Sequence, residues 1–169
     1  TVFVSPMNWD SSHTRVREYG LDKWYDKLYD DPMSMMRLNM QELNAITAIH
    51  VPVFERLSSG DMTDLEIAAY LRKDEDSRAL IDRIQAQIFE TVQMEPVFVK
   101  MDHSPKDACS TPEQERNWKS YLACRSAIDV MIRLVKSARI YDDIDGGADT
   151  LFFLPYKYDI LSSTEYRVF

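Results

Sequence analysis

Two cysteines, three histidines and four glycines are all that this 169-residue chain holds of the residues that build disulfide frameworks, zinc sites and glycine-rich phosphate loops. Cys109 and Cys124 are too few for a disulfide scaffold and fit a reducing compartment. His13, His50 and His103 share no zinc-ligand spacing with each other or with the cysteines, so no structural zinc is expected. No G-x-x-x-x-G-K-[ST] loop and no G-x-S-x-G elbow occurs, which argues against a P-loop NTPase and a serine hydrolase of the elbow type. Glycine and proline are scattered, and neither an internal repeat nor a low-complexity tract is seen. Apolar runs such as Leu151-Phe152-Phe153-Leu154 fall far short of the roughly 20 residues of a spanning helix, so no membrane span is expected. The N-terminus lacks the basic and apolar regions of a signal peptide, and a cytoplasmic setting is the expectation. Positive charge is also short: the formal net charge of -8 argues against duplex nucleic acid, whose affinity comes largely from basic residues on phosphates.

What is present is an ordinary globular composition, with 45% hydrophobic and 28% charged residues, enough for one domain with an appended lobe. After a short β-like start, residues 15–29 carry Tyr19, Trp24, Tyr25, Leu28 and Tyr29 at helical spacing until Asp30-Asp31-Pro32 stops them. A second helix is expected over about 36–49, with Met36, Met40, Leu43 and Thr47 on one face and a break or kink at Pro52. Those methionines and the isolated His50 read as structural. Thr63 and Glu66 form a capping-box pattern ahead of Ile67, Ala68 and Leu71. The run Arg72-Lys73-Asp74-Glu75-Asp76 reads as a solvated connection, with Ser77 capping a helix over Leu80, Ile81, Ile84, Ile88 and Val92. Thr111, Pro112 and Gln114 open what reads as the longest helix, carried by Trp118, Tyr121, Leu122, Ile128, Met131, Ile132 and Val135 to about Ala138. Strands flank it: Val97 to Lys100 before, Leu151 to Leu154 after Gly146-Gly147, and a last one over Tyr166-Arg167-Val168-Phe169. The class is α+β, with the long helix packed on a sheet.

The most informative stretch is Pro96-Val97-Phe98-Val99-Lys100 running into Met101-Asp102-His103-Ser104-Pro105-Lys106-Asp107-Ala108. A lysine at the exit of a buried strand, beside a hydroxyl and a second lysine, suits an anionic ligand, because fixed positive charge offsets the desolvation of phosphate. The plainer reading is a strand lysine that snorkels into water. The acidic group Asp142, Asp143 and Asp145 fails the calcium-loop spacing and reads as a solvated, flexible connection.

Taken in order, that stretch, then Ile128-Asp129-Val130-Met131-Ile132-Arg133-Leu134-Val135-Lys136-Ser137, then Glu165-Tyr166-Arg167-Val168-Phe169, resembles the cell-division-cycle branch of the ATP-grasp superfamily. That branch assists assembly of a eukaryotic translation initiation factor, and related phage and bacterial ATP-grasp proteins look like ligases. The resemblance covers about residues 77–169, leaving 1–76 as a mainly helical N-terminal lobe. It implies an ATP-grasp-like fold whose C-terminal half lies beyond Phe169, together with the acidic and amide ligands of magnesium. Lys100 would match the strand lysine on nucleotide phosphate, Ser104, Lys106 and Asp107 the mobile loop after it, and Arg167 an arginine reaching the phosphates. The family's hinge strand would fall at about residues 153–158, where its Arg-Lys pair is replaced by Pro155 and Tyr156 with Lys157 one position late.

The function implied is ATP binding, with Mg2+, as part of an ATP-dependent ligase or assembly chaperone. In such a ligase a carboxylate attacks the phosphoryl group and an amine captures the acyl phosphate. Without metal ligands in the chain, binding is a stronger expectation than catalysis. Two alternatives stay open. One is a non-catalytic interaction subunit, with Trp9, Tyr19, Trp24, Tyr25 and Tyr29 forming a partner interface rather than covering the sheet. The other is a nucleotidyltransferase, on a faint likeness of Lys100-Met101-Asp102-His103 to the lysine-x-aspartate-glycine motif, from which His103 departs.

Overall fold

A computed structural model describes residues 34–58 and 62–156. In chain order the elements are β1 (Ser34–Arg37), α1 (Met40–Ser58), α2 (Asp64–Lys73), α3 (Glu75–Ile84) with a π-helical extension (Gln85–Thr91), β2 (Val97–Lys100), a 3-10 turn (Lys106–Ala108), α4 (Pro112–Arg116), α5 (Trp118–Leu122), α6 (Ala127–Lys136), α7 (Ala138–Asp145) and β3 (Thr150–Pro155). The architecture is α+β: helices around a three-stranded antiparallel sheet of order β1-β3-β2. The expected helix over 15–29, the aromatic residues Trp9 to Tyr29 and the last strand at 166–169 lie outside the described residues.

The centre of the fold is α6, in which Ala127 and every residue from Val130 to Lys136 are buried. A helix that is apolar nearly all round must be surrounded. It packs against α1, α2, α3 and α7, so its main partners are other helices and not the sheet expected from the sequence. The sheet closes one side of the same cluster, with Val97 and Val99 of β2, Leu151 and Phe153 of β3 and Met36 of β1 directed into it. Residues on both sides of position 76, where the sequence places a lobe boundary, share this sheet and this cluster.

Several sequence expectations are corrected by local chemistry. Met36 belongs to a strand, and the helix starts only at Met40, because Asn39 and Glu42 cap each other: Asn39 N donates to Glu42 Oε2 at 2.8 Å and Glu42 N to Asn39 Oδ1 at 3.0 Å. This helix then runs past Pro52 to Ser58 without the break that is one of the two outcomes expected there. The Thr63–Glu66 box opens α2 as expected. The cap of α3 is Asp74, whose carboxylate accepts from Ser77 N at 2.8 Å, and Ser77 itself is buried. The helix it heads turns π-helical at Gln85, then stops as Gln93 enters the left-handed region at φ 56°.

The stretch over 111–138 is not one helix. Thr111 caps α4 through Gln114 N, but between α5 and α6 the backbone of Cys124 leaves helical geometry to exchange hydrogen bonds of 2.8 and 2.9 Å with Val97, extending the edge of β2. Ser126 restarts the helix by accepting from Asp129 N, and Ser137 does the same for α7 by accepting from Ile140 N. The last two helices therefore each carry their own serine cap, whereas α5 starts after Asn117 without a side-chain cap. The acidic group 142–145 is the end of α7 and not a solvated connection; Asp143 is buried. Gly147, at φ 90°, makes the turn from α7 into β3.

Candidate functional site

The turn leaving β2 is the site singled out by the sequence. Alternation along β2 sends Val97 and Val99 into the core and Phe98 and Lys100 to the other face, where they lie beside Leu154 and Phe152 of β3. Lys100 is half-buried. Tyr156, just past β3, donates its N–H to Pro96 O at 2.9 Å and tilts its ring against Phe98, with centroids 6.3 Å apart. Lys100 and Tyr156 therefore share a sheet face but sit at opposite ends of the β2–β3 ladder, about 13 Å apart along the strands. Lys157 and Arg167 lie outside the described residues.

The turn after Lys100 is tied to α7 by two carboxylates, one beneath it and one of its own. Asp143 of α7 has a side chain only 2% exposed, and it accepts from His103 N at 2.8 Å and from His103 Nδ1 at 2.6 Å. Asp107, one of the expected loop residues, accepts from Ser137 Oγ at 2.6 Å and Arg139 N at 3.2 Å, so it anchors the start of α7. Lys106 reaches back over the Trp118 ring, its Nζ 5.7 Å from the centroid, and Ser104 contributes its carbonyl to Lys106 N at 2.9 Å. The turn thus presents Lys100, His103, Ser104 and Lys106 on a backbone already bound to α7.

His103 is the residue of this turn whose role sequence reasoning missed. Its side chain is 58% exposed, with Nδ1 committed to Asp143. The hydrogen bond that the imidazole donates to Asp143 holds its pKa above its ordinary value, partly opposed by desolvation. What results is an oriented imidazole that stays protonated to higher pH than a free histidine. By contrast His50 is buried, bonded through Nδ1 to Val135 O at 2.9 Å and stacked between Phe54 and Tyr141, which is the structural role its isolation predicts.

A second polar cluster has no counterpart in the sequence reading. Lys136, with a side chain 1% exposed, donates through Nζ to Asp64 Oδ1 at 2.7 Å, Tyr121 OH at 2.6 Å and Gln114 Oε1 at 3.2 Å. Arg133, one turn earlier on α6, donates through Nε to Tyr121 O at 2.8 Å and lays its guanidinium over the Tyr121 ring at 3.6 Å. Burial lowers the lysine pKa despite Asp64, raises the Tyr121 phenol well above its ordinary range, and raises the Cys109 thiol nearby. The signal that could have found this cluster is the pair Arg133 and Lys136, three apart inside an otherwise apolar helix.

Among the described residues no grouping of three His, Cys, Asp or Glu side chains fits a metal ion. None of their helices is long and apolar enough to cross a membrane. No family model matches the chain, and neither the curated proteins nor the solved structures contain a match to it.

Proposed function

We propose that the chain binds a phosphate-bearing ligand of the ATP type at the turn leaving β2, and works as the nucleotide-binding portion of an ATP-grasp-like ligase or assembly chaperone. The observation that carries this reading is the pairing of Lys100 at the strand exit with a turn immobilised by Asp143 and Asp107. Cations on a preset backbone lose little entropy when they receive a phosphate, so more of the charge-assisted hydrogen bonding appears as affinity. His103, whose pKa Asp143 raises, adds a donor through its second ring nitrogen when the ring is protonated. The described residues offer no carboxylate cluster for magnesium, so the reading includes no metal-assisted step.

A non-catalytic interaction subunit is the second reading. It draws on apolar side chains left on helix surfaces, above all Leu65 of α2 at 78% exposure, with Tyr70 on the same helix and Val51 and Phe54 on α1. One experiment separates the two. Calorimetric titration of ATP, with and without magnesium, into the chain and into Lys100→Ala should give binding that the variant weakens by about tenfold or more, the scale of one charge-assisted phosphate contact. Folded protein that takes up no ATP, or a variant that binds as well as the parent, would sink the nucleotide reading and leave the interaction reading standing.

A further inference from the structure

We infer that Arg133, at the mouth of the Lys136 cluster, forms a binding site for a small oxyanion. Two cations meet there, Arg133 and Lys136, and the one carboxylate in direct contact with them is Asp64. Lys136 spends its three protons on Asp64, Tyr121 and Gln114, which fills its donor capacity. Arg133 does not fill its own. Its Nε is bonded to Tyr121 O, its Nη1 approaches Asp64 Oδ2 only to 3.5 Å, and its Nη2 has no hydrogen-bond partner among the described residues. The side chain as a whole is only 9% exposed, yet its guanidinium keeps open donors.

Those donors are not sealed in. Among the described residues the one buried side-chain polar atom left without a partner is Ser77 Oγ, so the Nη atoms of Arg133 still meet solvent. The guanidinium cannot swing away, because Tyr121 holds it by a hydrogen bond and by ring stacking at once. A fixed, partly desolvated fork with a local excess of positive charge suits an oxyanion, which accepts two parallel N–H donors. Lys106 and Lys119, each with Nζ 5.7 Å from the Trp118 ring, add positive charge on the neighbouring turn and α5, in a chain whose net charge is -8.

Cys109 reports on the site. It is half-buried within the field of Lys136 and Arg133, whereas Cys124 is fully buried with its thiol pushed up to about 12, so Cys109 is the thiol that reagents reach. The test is iodoacetamide labelling of Cys109 in the full chain, in inorganic phosphate, in acetate and in chloride at matched ionic strength. Phosphate should slow labelling several-fold, because an anion on Arg133 offsets the positive field that Lys136 and Arg133 exert on the thiol, and acetate should match it only if a carboxylate serves as well. In parallel, phosphate should raise the thermal midpoint of the parent more than that of Arg133→Lys, which keeps the charge but loses the fork. Equal labelling in all three salts, together with equal phosphate stabilisation of parent and Arg133→Lys, overturns the proposal. If Arg133→Lys does not fold, the labelling comparison decides alone. Lys100→Ala should leave the phosphate response intact, so this site and the nucleotide reading fail separately.

Discussion

The two polar clusters of this molecule use similar residues to opposite ends. At the β2 exit, half-buried Lys100 and Lys106 and exposed His103 sit on a turn tied to α7 through buried Asp143 and through Asp107 of the turn itself. In the other cluster Lys136 rises from a buried helix and turns its charge inward onto Asp64, Tyr121 and Gln114, with Arg133 beside it fixed on Tyr121 but keeping open donors. The difference is where desolvation falls. A partly exposed cation keeps part of its hydration and can exchange that part for a ligand, whereas a buried one such as Lys136 has already exchanged it for protein groups and becomes part of what holds the helices together.

If that contrast is right, the largest effect should come from Lys136→Ala. The change leaves Asp64 and the Tyr121 hydroxyl without their shared donor, and it should cost about 3 kcal/mol in urea unfolding, the lower end for a broken buried pair because Asp64 keeps Arg133 and some solvent. A cost near zero would show that Lys136 is as dispensable as a surface lysine.

Asp143→Asn comes next. It removes the charge that holds His103 Nδ1 while keeping one acceptor for His103 N, and should cost about 1–2 kcal/mol. It should also change the pH dependence. Because the folded-state pKa of His103 is raised, its stabilisation is fully present below the unfolded value of 6.5 and is lost as pH rises through the folded value. The parent should therefore lose stability on going upward from pH 6.5, and Asp143→Asn should lose less; identical profiles would mean that Asp143 is not what raises the pKa of His103.

The smallest effect should be that of Lys100→Ala on unfolding, below about 1 kcal/mol, as for other partly exposed charges. If Lys100→Ala instead destabilises the chain as much as Lys136→Ala does, the turn is structural in the same sense as the buried cluster, and its claim to a ligand disappears.

Legibility from sequence followed the range of the interactions concerned. Thr63 with Glu66 and Thr111 with Gln114 could be read because a cap is decided within four residues. The strands at Val97–Lys100 and Thr150–Pro155 could be read because apolar residues bounded by turn formers already favour them. The single helix expected over 111–138 failed because Cys124 pairs with Val97, a contact that local periodicity does not record. Asp143 was read as solvated because nothing in Asp142-Asp143-Ile144-Asp145 tells which carboxylate faces His103, forty residues away.

By itself, then, the sequence determined the α+β class and the Thr63 and Thr111 caps, since each rests on composition or on neighbours within a turn or two. Tertiary structure alone decided that α6 is enclosed by helices, that β1 joins β3 across most of the chain, and that Asp64, Gln114, Tyr121, Arg133 and Lys136 meet. The reason is physical: a buried charge takes whichever partner the packing brings within about 3 Å, and packing is settled by the apolar faces of elements far apart in sequence.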